Sequence, residues 1–179
     1  AAHEGQFRAQ KLPIVPMSSI PREASDHLRK PNTTAVDAPE VCLPTDRELV
    51  LKVMPMPADA NGNGDIFGGW VMAQVDLAGS VLPARYAQGR MATVAVNQFV
   101  FKQPVRVGDI LSFLAKVERV GKTSVTVKVS VFAERFERQG HFIKVTEASL
   151  TYVAIDDTGR PRALPGREGS ADAPPATPA

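Results

Sequence analysis

One acidic residue stands alone in an apolar run. Between Asp65 and Arg85 the only charged side chain is Asp76, and its neighbours at helical spacing, Met72, Ala73, Gly79 and Ser80, include nothing that neutralises a carboxylate. A carboxylate partly withdrawn from water suits proton transfer or attack on an electrophilic carbon. A short distance upstream stand Gly68 and Gly69. Bare backbone N–H groups at a helix start, where the dipole favours negative charge, can bind an oxyanion. Donors aimed at a carbonyl oxygen, with a carboxylate farther along the same helix, suit hydrolysis of an acyl group. The plain alternatives are a solvated outer-face carboxylate, since Asp76 lies about 130° from the centre of the apolar stripe, and a simple glycine turn.

The segment Asp59-Ala60-Asn61-Gly62-Asn63-Gly64-Asp65 imitates the opening of a calcium-binding loop, but the twelfth position is Trp70 where a bidentate Glu is required. No glycine pattern of a nucleotide-binding loop follows. What remains is a polar turn carrying Asn61, able to hydrogen-bond substrate or water. The three histidines, His3, His27 and His141, are scattered over a tail, a tail and a turn, so neither a histidine triad nor a metal site is expected.

These groups need elements to position them. Val50 to Met54 reads as a short strand and Pro55 to Asp65 as a loop. From Gly69 to about Gln88, Val71, Val75, Ala78 and Leu82 recur at helical spacing, while Pro83 is expected to kink or end the helix. Trp70, Leu77 and Val81 widen its apolar surface, as if other chain enclosed it. Beyond the helix the period becomes two. Met91 to Lys102, the stretch around Leu111 to Val117, Val125 to Val131, and His141 to Ile155 read as long strands, with a hairpin at Gly121-Lys122 and a bulge near Asn97 and Gln98. Strand, loop, helix and four strands on short connections predict an α+β fold with an antiparallel sheet. One helix covers one face, so a second subunit is expected on the other face or at an edge.

The 179 residues suffice for one well-buried domain. Residues 1–46 read as a disordered or loosely docked tail, 47–165 as the domain and 166–179 as a disordered tail. Twenty-one basic against nineteen acidic residues give a net charge of +2, no global field for nucleic acid. A single cysteine, Cys42, excludes an intrachain disulfide and suggests the cytoplasm. The apolar run Ile66 to Ala84 holds Asp76, Gln74, Pro83 and three glycines, so no membrane span is expected, and nothing resembles a secretory signal.

The segment from Met56 through Asp59, Asn61, Gly68, Gly69 and Trp70 to Asp76 resembles the hotdog-fold acyl-CoA thioesterases of the YciA-like branch. The likeness continues through Gly89-Arg90, Phe101-Lys102-Gln103-Pro104-Val105, Val107-Gly108-Asp109, Gly121-Lys122-Thr123-Ser124 and Arg160-Pro161-Arg162-Ala163-Leu164-Pro165, roughly residues 47 to 165. It implies a hotdog fold, a long central helix wrapped by a five- to six-stranded antiparallel sheet, with sites at a dimer interface and dimers often assembling as hexamers. It further implies Asp76 as general base or nucleophile and Asn61, from the partner subunit, as positioner of water or substrate. Gly69, with Gly68 beside it, would polarise the carbonyl.

Coenzyme A carries phosphates, so local cations are needed. The resemblance points to Lys122 with Thr123 and Ser124, to Arg160 with Arg162, and less strongly to Lys102. No separate cofactor is implied, because coenzyme A is part of substrate and product. The competing readings are a non-catalytic acyl-CoA sensor and a hotdog hydratase, although the latter would want a histidine near the helix start.

Overall fold

The computed structural model describes residues 40–136 and 138–167, so most of both expected tails falls outside the described residues. Strand β1 (Glu48–Val53) leads through a single 3-10 turn (Pro57–Asp59) and the Asn-Gly loop into helix α1 (Gly68–Ala87). Strands β2 (Met91–Phe101), β3 (Ile110–Val120), β4 (Ser124–Glu134) and β5 (Phe142–Ala154) follow. They form one antiparallel sheet in the order β1-β3-β4-β5-β2. This is the expected α+β arrangement, and each strand foreseen from the period-two alternation is present.

The apolar stripe of α1 lies along the sheet. Val71, Val75, Ala78 and Leu82 form one core with Leu111, Phe113 and Ala115 of β3, Val125 to Val131 of β4, and Ala148, Leu150 and Tyr152 of β5. Burying each Val, Leu or Phe side chain contributes about 1.5–3 kcal/mol, so this stripe fixes the helix in place. Pro83 does not end α1, which runs on to Ala87 with Pro83 buried. Proline removes the N–H that would bond the carbonyl of Gly79. Burial of Leu82, Pro83 and Ala87 and a guanidinium clamp on the last turn outweigh that loss.

Two other expectations are refined. Strand β2 carries the bulge foreseen near Asn97, between Val96 and Gln98, and a second between Thr93 and Ala95. Residues 40–46, assigned to the tail, lie on the fold. Val41 bridges Phe142, Glu40 meets His141 at 2.8 Å, and Asp46 pairs with Lys116 at 3.0 Å. They pack because their polar groups find partners on β3 and beside β5.

One face of the helix and one sheet edge stay bare in the single chain. Phe67, Met72 and Leu77 on the helix side, and Val94, Val96, Val100 and Phe101 on β2, are all exposed. Exposed apolar side chains of this size suit contact with another chain when they form one patch.

Candidate active site

Helix α1 starts with no side chain capping it. The first helical N–H groups have no intrahelical partner by construction. Trp70 and Val71 donate back to the Phe67 carbonyl, and among the described residues nothing accepts from the N–H of Gly68 or Gly69. The loop before them is set by Asn61. Its Oδ1 accepts from the N–H of Asn63 at 2.8 Å and of Asp65 at 3.3 Å, which leaves the amide hydrogens of its side chain to donate elsewhere. Gly69 is exposed and an added Cβ there would meet no atom within 4 Å, whereas one on Gly68 would come to 3.1 Å from the Phe101 ring. A cleft of about 380 Å³ opens here, lined by Asp65, Ile66, Gly68, Val71, Phe101 and Lys102 among others.

Its wall is braced from behind. Asp109, 2% exposed, accepts from the N–H of Arg106 at 2.8 Å and pairs with Arg135, whose other nitrogen donates to the Pro104 carbonyl at 3.0 Å. The Val105 carbonyl in turn accepts from Ile66. The buried ion pair thus holds the loop beside the helix start.

Asp76 lies about 10 Å down the axis from Gly69, half-buried, and helical side chains lean toward the N-terminus, which narrows that gap. Seven residues apart, the two positions fall on the same side of the helix. Two hydroxyls hold the carboxylate. Thr93 Oγ1 donates to Asp76 Oδ1 at 2.8 Å. Tyr152 Oη lies 2.9 Å from the Asp76 backbone carbonyl and 3.3 Å from Oδ1. Burial, and after it the Asp76 charge, push the Tyr152 phenol above the ordinary tyrosine range. Sequence reasoning missed both partners. The signal for Tyr152 was there: a hydroxyl on the inward phase of β5, between Leu150 and Ala154, needs a partner.

The six residues named for coenzyme A fall into three groups. Lys122, Thr123 and Ser124 form the β3–β4 turn, where the Lys122 carbonyl accepts from Leu164 and that of Thr123 from Ala154. This places the turn against the segment carrying Arg160, which is exposed, and next to Tyr152, the register partner of Val125. Lys102 sits elsewhere, on the cleft at the helix start, 3.4 Å from Glu147. Arg162 is differently employed. Its guanidinium donates to the carbonyls of Ala87 at 2.6 Å, Ile155 at 3.1 Å and Ala163 at 3.4 Å. It closes the C-terminus of α1, where a cation is favoured.

Residues 63–137 match the model of the Thioesterase superfamily. The Escherichia coli (strain K12) acyl-CoA thioester hydrolase YciA is 45% identical over 120 residues, 66% of this chain and 91% of that relative. The chain belongs to the YciA-like hotdog acyl-CoA thioesterases. Among solved members, the hexameric thioesterase from Yersinia pestis superposes with a TM-score of 0.65 at 44% identity, over 70% of this chain and 100% of that one. An acyl-CoA hydrolase from Staphylococcus aureus, solved with butyryl coenzyme A, coenzyme A and coenzyme A disulfide, gives 0.59 at 29% identity, over 65% and 70%. Alanine variants of that thioesterase were solved at an asparagine and an aspartate fifteen positions apart, the separation of Asn61 and Asp76 here.

Proposed function

We propose that this protein hydrolyses acyl-CoA thioesters to a free carboxylic acid and coenzyme A, with Asp76 as the acting carboxylate. The observation that carries the assignment is the pairing, on one helix, of a carboxylate pinned by two hydroxyls with unpaired glycine N–H groups at the positive end. The thioester carbonyl oxygen accepts from Gly69, with Gly68 beside it. Water attacks the carbonyl carbon as Asp76 takes its proton, or Asp76 attacks directly and water cleaves the resulting anhydride. On either route negative charge builds on the oxygen facing the glycines, the carbon–sulfur bond breaks, and the thiolate takes up a proton. Oxygen-18 entering the Asp76 carboxylate in a single turnover marks the covalent route.

Asn61 serves the active site of the partner subunit, its free amide hydrogens positioning water or substrate. Lys122, Thr123, Ser124 and Arg160 meet the coenzyme phosphates, and Lys102 lies beside the helix start. We assign Arg162 to the helix end instead. The apolar face of α1 and the β2 edge support a homo-oligomer, a dimer at least, and the hexameric relatives support a trimer of dimers. No resident cofactor is required, since coenzyme A arrives with the acyl group. Among the described residues no helix is long and apolar enough to cross a membrane. With one exposed cysteine, the cytoplasm is the compartment we favour.

The decisive experiment is Asp76→Asn. Turnover on acyl-CoA should drop at least about 10²-fold with the folded assembly intact by light scattering. Turnover within a few-fold of the parent would overturn the assignment.

A further inference from the structure

We infer that Tyr152 is a positioning residue for the reaction, and that Gly79 is kept without a side chain to admit its hydroxyl. The inference rests on the reading of Asp76 as the acting carboxylate. Tyr152 is 2% exposed, and its oxygen reaches α1 at two atoms of one residue, the carbonyl and the carboxylate of Asp76. A phenol has one hydrogen to give, shared here between a short contact to the backbone and a longer one to Oδ1. The hydroxyl therefore fixes the helix turn from which the carboxylate springs and also leans on the carboxylate. Thr93, the cross-strand partner of Tyr152, donates to the same Oδ1.

Such an approach is available only because residue 79 is glycine. A Cβ there would sit 2.4 Å from Tyr152 Oη and 3.3 Å from the ring carbon that bears it. Glycine in a helix interior costs about 1 kcal/mol relative to alanine, so the helix by itself would be better served by alanine. The close approach of the phenol is the physical reason to keep the glycine.

No cation competes for this role. Among the described residues, Asp76 has no ion pair or hydrogen bond with a Lys, Arg or His, and β2 carries no charged side chain at all. The charges on the other elements packed against α1 are engaged elsewhere: Glu48 with Arg85, Lys116 with Asp46, Lys128 and Lys144 with Glu147, and Glu118 with Ser149. Lys52, Arg119 and Glu134 make no bond to Asp76. Hydroxyls alone hold it. Removing one loosens the carboxylate from its reactive orientation, so turnover falls while substrate binding is kept.

The test measures kcat and KM for the parent, Tyr152→Phe, Gly79→Ala and the double variant, with Asp76→Asn alongside. Tyr152→Phe should lower kcat about tenfold, since a hydrogen bond of this kind contributes about 1.4 kcal/mol. KM should change less than twofold, a split between kcat and KM that a general loss of structure would not give. Gly79→Ala should lose at least as much in the tyrosine background and little further in the phenylalanine background, a non-additivity expected of two groups in contact. An unchanged kcat in Tyr152→Phe, or a loss carried by KM alone, would overturn the inference while Asp76→Asn remains inactive. An active Asp76→Asn would instead overturn the underlying assignment.

Discussion

Arg162 separates two roles that a basic residue can play in this fold. Its guanidinium donates to three backbone carbonyls, two at 2.6 and 3.1 Å and one at 3.4 Å, and Gly89 leaves it room, since a Cβ there would lie 2.7 Å from Nη2. A hydrogen bond from a charged donor contributes about 1.5–3 kcal/mol when well made. With one long bond and partial exposure, Arg162→Ala should cost about 3 kcal/mol, lowering the apparent unfolding temperature by about 10 °C for a domain of this size. Lysine cannot reproduce the fork, so Arg162→Lys should recover no more than a third of the loss. Thermal unfolding followed by circular dichroism reads the stability, and initial rates well below the transition, normalised to folded protein, read the KM for acyl-CoA. Arg160→Ala is the control, with KM raised several-fold and the unfolding temperature unmoved. If Arg162→Ala left the unfolding temperature within 2–3 °C of the parent while KM rose, the clamp would be incidental and the residue a phosphate ligand.

Three further outcomes follow from the same geometry. Burial alone would raise the Glu147 carboxyl, but hydrogen bonds from Lys128 and Lys144 outweigh it and bring it down from 4.5 to about 2. The stabilisation is therefore present above about pH 4.5 and is lost as pH falls toward 2. Urea titrations of Glu147→Gln should show a deficit of about 2 kcal/mol at pH 7 that closes by pH 2, after allowing for screening of the partly exposed lysines. Arg135→Ala strands the buried Asp109 without its cation and should cost about 3–5 kcal/mol in chemical unfolding, with KM rising as the cleft wall loosens. Val96→Glu, on the exposed edge of β2, should shift the assembly toward smaller species in light scattering while the secondary structure by circular dichroism stays unchanged.

Much of this architecture was legible because it is local. Periods of 3.6 and 2 marked α1 and the long strands, the Gly121 turn marked their hairpin, and the break in alternation at Asn97 marked a bulge. Asp76 was legible as a charge in an uncharged run. Long-range contacts were not. Nothing at position 93 or 152 announces that both hydroxyls converge on residue 76, because the β2–β5 register that aligns them is fixed by two bulges and by packing. Arg162 looked like a phosphate ligand for a related reason. The resemblance placed it among the coenzyme contacts, and only the folded chain brings the end of α1 within its reach. Of the two effects expected of Pro83, a kink or an end, the end does not occur: α1 covers nearly the span its apolar period predicts, because the core holds it down across the missing bond.

The two bulges in β2 bear on how a newly made chain meets its neighbours. An exposed edge with a level, regular backbone is a template on which any passing strand can add, and irregular edges suppress such growth. With its backbone twisted twice within four positions, this edge offers amide hydrogens at uneven heights that a generic extended segment cannot follow. Recruitment then favours another copy of the same sequence, whose matching irregularity fits, over the runaway stacking that leads to fibres.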